Sequence, residues 1–169
     1  MKSKGCCFIG HRTISQKEVV KEKLNAVIER LINDNVTEFY FGSRSDFNGI
    51  ALEVALQYKK QHPNIRLVYV RSEYPYTNEW YVNYLLETFD DTYMPSRVEN
   101  AGKAKYSLRN QHMILQSDIC VFYYDQNYKP PVRKTTKSTI TYYQPKSGTK
   151  LSYEYAVKNK KEIINLFSY

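Results

Sequence analysis

Three cysteines in a chain of 169 residues are too few for a framework of bridges. Cys6 and Cys7 are adjacent, Cys120 is remote, and all lie inside apolar runs, so they read as small buried hydrophobes rather than disulfide partners or zinc ligands. Long hydrophobic runs are missing too. No stretch approaches the roughly 20 apolar residues that cross a bilayer, and the run in MKSKGCCFIG is too short for a secretory signal. Glycine and histidine are sparse. The six glycines form neither a P-loop nor a GxGxxG fingerprint, and the three histidines have no Cys or Asp partners at metal-ligand spacing. Neither a nucleophile elbow nor a Ser-His-Asp order occurs, and there are no repeats or linkers. The expectation is one domain over 1–169 that buries roughly 70% of its unfolded surface, is soluble in a reducing cytosol and needs no metal or membrane.

Acidic residues are scarce in one region only. Residues 1–128 hold 16 Lys/Arg against 15 Asp/Glu, whereas 129–161 hold 9 against Glu154 alone, so the net charge of +8 is a property of the last quarter. Either it is a patch for an anionic partner, centred on Lys129, Arg133, Lys134 and Lys137, or it is a solvated loop and helix face. Without an RNA- or DNA-binding motif beside it, the solvated face is the preferred reading and a nucleic-acid partner is disfavoured. Tyrosine is the one abundance, with 17 spread along strands and loops. They are not read as a stacking platform.

What is present is an alternation of short apolar runs and helical stripes. Strands are expected at Lys4–Ile9, Glu38–Phe41, Ile65–Val70, Ile119–Tyr124 and Glu162–Phe167. Helices are expected over Ser15–Asn33, after Gly42 as far as His62-Pro63, around Asn78–Thr88, through Tyr106–Gln116 and over Thr149–Lys160. This order predicts an α/β, Rossmann-like three-layer fold with a mainly parallel five-stranded sheet and helices on both faces. Residues 72–100 read as an excursion over the sheet edge, ending in the acidic pair Asp90-Asp91 and a turn. Residues 126–146 read as a mobile loop, or as a small hairpin using Thr139–Tyr143.

In such sheets ligands settle beyond the carboxyl ends of the strands, and conspicuous residues follow four of the five expected strands. They are Gly10-His11-Arg12, then Gly42-Ser43-Arg44-Ser45-Asp46, then Arg71, and after the fourth strand Asp125 and later Ser147-Gly148-Thr149. The turns at Gly42 and Gly148 each precede a helix, which suits either a phosphate held by backbone N–H groups or an ordinary helix cap. Arg12, Arg44 and Arg71, with Arg109 and its neighbour Asn110 on the helix before the fourth strand, imply an anion if they converge. His11 is the candidate for acid–base work or a hydrogen-bonded turn residue. His62 and His112 read as incidental, and Asp118 as a cap for the preceding turn or a partner for a backbone N–H.

The succession CCFIGHR, FYFGSRSDFNGIALEVA, IRLVYVR, YSLRNQHMILQSDICVFYYD and SGTKLSYEYA resembles the SLOG superfamily, Rossmann-like domains related to the Lonely guy (LOG) and DprA proteins, and most of all its YpsA-like branch. The resemblance implies binding of nucleotides or nucleotide-derived ligands. LOG enzymes hydrolyse the N-glycosidic bond of cytokinin nucleoside monophosphates; Arg109, Met113, Ser117 and Asp118 resemble one of their motifs, and Ser147-Gly148-Thr149 resembles the cradle in PGGxGTxxE. Where those enzymes place the motif's glutamate, this chain has Leu151 and Ser152, with Glu154 later on the helix. Glycoside cleavage needs a carboxylate near the ribose, so Glu154 and Asp46 are the carboxylates available for it. The expected function is therefore a sensor, scavenger or regulatory module that binds a phosphorylated nucleotide-derived molecule without a further cofactor, with homo-oligomerisation open. A nucleosidase of nucleoside monophosphates and a basic interaction module are the alternatives.

Overall fold

A computed structural model describes residues 2–72, 79–134 and 142–168. In chain order the elements are β1 (Lys4–Gly10), α1 (Lys17–Asn33), β2 (Val36–Phe41), α2 (Asp46–Gln61), β3 (Arg66–Val70), α3 (Glu79–Leu86), β4 (Asp91–Tyr93), α4 (Lys105–Gln116), β5 (Ile119–Tyr123), β6 (Arg133–Lys134), β7 (Tyr142–Tyr143), α5 (Gly148–Lys158) and β8 (Glu162–Asn165). A single 3-10 turn, Gly102–Ala104, leads into α4.

The main sheet is parallel, in the order β4-β3-β2-β1-β5-β8. It has six strands where five were expected. The additional strand is β4, whose residues Val68↔Asp91, Tyr69↔Thr92 and Val70↔Tyr93 pair in register with β3. The acidic pair thus opens an edge strand rather than a turn, and only one side of such a strand needs partners. Within the basic segment, read as a mobile loop or a small hairpin, the backbone of β6 pairs antiparallel with that of β7. Thr139 to Thr141 of the expected strand lie outside the described residues.

Side-chain alternation along β1 shows how the layers form. Cys6 and Phe8 join one core with Leu24, Val27 and Ile28 of α1 and Val54 of α2, whereas Cys7 and Ile9 join another with Met113 and Ile114 of α4 and Ala156 of α5. Buried on both faces, β1 is apolar throughout its centre. The three cysteines are free and buried in these cores. Asp118 accepts from the N–H of Gly5 at 2.9 Å, tying the start of β5 to β1.

The strand order reverses at β1. The chain proceeds outward through β2, β3 and β4, then returns to place β5 on the other side of β1. A crevice at the carboxyl ends follows from that switch.

Candidate functional site

A crevice of about 700 Å³ lies where the geometry predicts, lined by the ends of β1 and β2, the starts of α2 and α5, and one face of α4. It brings together Gly10, His11, Arg12, Gly42, Ser43, Arg44, Arg109, Asn110, Ser147, Gly148 and Thr149. Three of the sequence candidates are not among its lining residues: Arg71, Asp46 and Glu154.

Each absence has a local cause. Arg71 follows β3, two strands from β1; its N–H donates to the Tyr93 carbonyl at 2.8 Å, and its Nε is buried with no partner among the described residues. Asp46 turns toward the β1–α1 connection, where its carboxylate accepts from the N–H of Ile14 at 3.0 Å and pairs with Lys17 at 3.3 Å. The Ile14 N–H, then Lys17, hold that carboxyl below the usual range. Glu154 pairs with Lys146 at 2.9 Å on the exposed side of α5.

The turn after β2 is built around a residue that sequence reasoning missed. Asn48, 4% exposed in the first turn of α2, accepts from the N–H groups of Gly42 and Ser43 at 3.2 and 3.3 Å and donates to the carbonyl of Phe8 at 2.9 Å. One side chain thus joins the ends of β1 and β2. The Gly42 and Ser43 N–H groups expected to cradle phosphate are engaged within the protein. Ser45 caps α2 by accepting from Asn48 at 3.1 Å.

Gly42 is required by close approach: a Cβ there would lie 2.6 Å from both Cδ of Arg109 and Sδ of Met113. Arg109, 6% exposed, fills that space. It donates to the Gly42 carbonyl, to Ser72 Oγ at 2.9 Å and through Nε to Asn110 at 3.0 Å. Asn110 donates to Ser152 at 3.0 Å, and Ser152 to the Gly148 carbonyl at 2.8 Å. This chain of bonds fixes α4 against the start of α5.

At α5 the donors are arranged differently. Ser147 caps the helix by accepting from Lys150 at 3.0 Å, which leaves the N–H groups of Gly148 and Thr149 with no partner among the described residues. A Cβ on Gly148 would meet nothing within 4 Å, so packing does not require the glycine. Gly148 is itself a lining residue of the crevice. Arg12 lines the same space, and its side chain makes no hydrogen bond or ion pair among the described residues. Arg44 instead donates to Tyr81 at 3.1 Å, with its guanidinium 5.4 Å from that ring.

His11 is a turn residue in this arrangement. Its Nε2 accepts the Asp125 N–H at 2.9 Å, and its ring lies 4.6 Å from that of Tyr128. A backbone N–H can only donate, so the imidazole carries its proton on Nδ1 and is neutral. Burial lowers its pKa against the opposing pull of the Asp125 carboxylate. His112 likewise bonds Tyr93, with 2.8 Å between Nε2 and the phenol oxygen.

Tyr106 and Tyr128 supply exposed rings to the crevice, and Ser72, Pro130, Pro145 and Lys146 complete its walls. No pattern in the sequence marked them, although YSLRNQHM placed Tyr106 one turn before Arg109. Among the described residues no group of three or more His, Cys, Asp or Glu side chains is placed to hold a metal, and no helix is long and apolar enough to cross a membrane.

No curated protein matches the chain at a significant level. A family model, YpsA, described as the YspA SLOG family, matches residues 9–159. That span runs from the end of β1 to the end of α5 and includes every crevice element described above. The chain belongs to the YspA SLOG family.

Proposed function

We propose that the crevice binds a phosphorylated nucleotide or nucleotide-derived ligand, and that the protein acts as a sensor, scavenger or regulatory module for it. The observation that carries this reading is that the N–H groups of Gly148 and Thr149 at the start of α5 and the guanidinium of Arg12, none of which has a partner among the described residues, all line one crevice. Helix N-termini favour anions through their free N–H groups and the helix dipole. Arginine adds a planar fork that matches phosphate oxygens. Membership of the SLOG family supports a nucleotide-related role.

In this reading Gly148 and Thr149 donate to phosphate and Arg12 balances its charge. Arg109 is a positioning residue: its bonds to Gly42 and Asn110 hold the turn after β2 and the start of α5 at a fixed separation. The basic character of 129–161 enters the crevice through Lys146. No catalytic role is assigned, because Asp46 and Glu154 do not line the crevice and are neutralised in ion pairs, Asp46 with Lys17 and Glu154 with the wall residue Lys146, and His11 is committed to a backbone N–H.

The test is a thermal-shift series with adenosine, AMP, ADP and ADP-ribose, run beside an assay for free base. Phosphorylated ligands are expected to raise the melting temperature by several degrees at 100-fold excess over Kd, since that occupancy contributes about 2.7 kcal/mol; adenosine is expected to do much less. Arg12→Ala should weaken phosphorylated ligands by roughly 10- to 100-fold, the range of one charge-assisted hydrogen bond. Equal shifts from adenosine and AMP, or none from any ligand, would overturn the proposal. Release of free base would favour the nucleosidase reading.

A further inference from the structure

A second hollow, of about 360 Å³, lies on the other side of the turn after β2. It shares Ser43, Arg44, Ser45, Asn48 and Tyr69 with the crevice, so the two spaces are separated only by that turn. Their chemistry differs. Arg44 borders both, but the crevice adds Arg12, Lys146 and the N–H groups at the start of α5, whereas the hollow has an aromatic floor of Phe41, Tyr69 and Phe89, with ring centroids 5.2 to 5.8 Å apart along the Tyr69–Phe89–Phe41 series. Leu52 and the half-exposed ring of Tyr84 form its walls.

Gly49 borders the hollow from the start of α2. It sits within α2, where glycine is disfavoured relative to alanine. Its φ is not positive, and a Cβ built on it would meet nothing within 4 Å. Neither backbone conformation nor packing within the protein therefore calls for glycine, yet the residue lines the hollow. Gly49 is solvent-exposed and adds no side chain to the ring-lined hollow beside the phosphate-suited crevice.

We infer that this hollow takes the planar, uncharged ring of the same ligand whose phosphate is held at α5, so that the bound molecule passes over the Ser43–Ser45 turn with a nucleobase-like group on the aromatic side and its phosphate on the cationic side. The inference rests on the phosphate reading above. It adds a ring-specificity site made by Gly49, Leu52, Tyr69, Tyr84 and Phe89. Rings of this kind bind by stacking and apolar contact, which tolerates the base identity but requires a planar group.

The experiment titrates wild type, Gly49→Ala, Gly49→Phe and Tyr84→Ala with ribose 5-phosphate, AMP and ADP-ribose by calorimetry, with circular dichroism melts on each variant. In wild type the best ring-bearing probe is expected to bind at least 10-fold more tightly than ribose 5-phosphate. Gly49→Phe, which fills the hollow from a position with room for its Cβ, should cost that probe at least 10-fold and leave ribose 5-phosphate within twofold. Tyr84→Ala, at an exposed position that tolerates truncation, should cost it three- to tenfold, and Gly49→Ala should melt no lower than wild type. If ring-bearing probes bind wild type and lose nothing in Gly49→Phe and Tyr84→Ala, the ring site is wrong while the phosphate reading stands. If no phosphorylated probe binds wild type, both fall together.

Discussion

Replacing Asn48 with alanine should be among the most damaging single changes to this protein, although the position reads in sequence as an ordinary polar residue in a first helical turn. The side chain is 4% exposed and makes three bonds, accepting from Gly42 and Ser43 and donating to Phe8. Truncation leaves two N–H groups and one carbonyl without a partner. A buried group left unsatisfied costs about 1–3 kcal/mol, and the Ser43 N–H, only part-buried, falls at the low end because water reaches it. The sum is about 3–7 kcal/mol, a large share of the 5–15 kcal/mol that stabilises a typical domain. At about 2–4 °C per kcal/mol for a chain of this size, the melting temperature of Asn48→Ala should fall by about 6–28 °C. Urea unfolding followed by circular dichroism should show the same loss in midpoint with little change in slope. Because Arg109 donates to the Gly42 carbonyl, ligand binding at temperatures where the variant is folded should weaken too. A loss below about 1 kcal/mol would refute the reasoning, since it would mean that the ends of β1 and β2 hold their separation without this side chain.

Two glycines should respond in opposite ways. Gly42→Ala places a methyl group 2.6 Å from Arg109 and Met113 and should cost about 1–3 kcal/mol by overpacking, whereas Gly148→Ala should leave stability unchanged or slightly raised and reduce nucleotide affinity; melts and calorimetry on both separate the effects. Asp46 and Asp90 should destabilise the fold on acidification. Their folded pKa values are lowered, for Asp46 first by the Ile14 N–H and then by Lys17, and for Asp90 by the Leu67 N–H and Lys59 against an opposing desolvation that is the largest single contribution. Their stabilisation is therefore full above the unfolded carboxylate range and is lost as pH falls below about 4, so urea midpoints should decline there and decline less in Asp46→Asn. His11, also lowered, takes up protons more readily unfolded than folded. Its contribution is full above about pH 6.5 and is lost as pH falls through the folded value, and nitrogen-15 NMR should find Nδ1 protonated at neutral pH; an Nε2–H tautomer would contradict the Asp125 bond.

Much of the sheet could be read directly because β1, β2, β3, β5 and β8 are apolar runs, the inner strands being covered on both faces. The sixth strand could not: Asp91-Thr92-Tyr93 is short and polar, and pairs only as an edge. The site shows the same division. Residues that follow strands or open α5, such as Arg12 and Gly148, could be placed from the chain order alone, because a parallel sheet delivers every strand end to one side. Asn48 could not, since its importance comes from lying between two strand ends 40 residues apart from one of its partners, Phe8. Asp46 and Glu154 had the right chemistry for a carboxylate at the crevice, but neither lines it: Asp46 pairs with Lys17, and Glu154 meets the crevice only through its partner Lys146. That competition is between neighbouring side chains and leaves no periodic trace. Gly49 and Gly148 look alike as letters, as does Gly42, and only the space around each distinguishes the one that packing demands from the two that packing does not.

The central claim is that a phosphate sits on the free N–H groups at the start of α5, and backbone amide NMR during titration with AMP tests it most directly. The amides of Gly148 and Thr149 should move downfield in a saturable way, while those of Gly42 and Ser43, already bonded to Asn48, move little. Saturable binding in which Gly148 and Thr149 stay fixed and Gly42 and Ser43 shift would place the phosphate at the other turn and contradict the account.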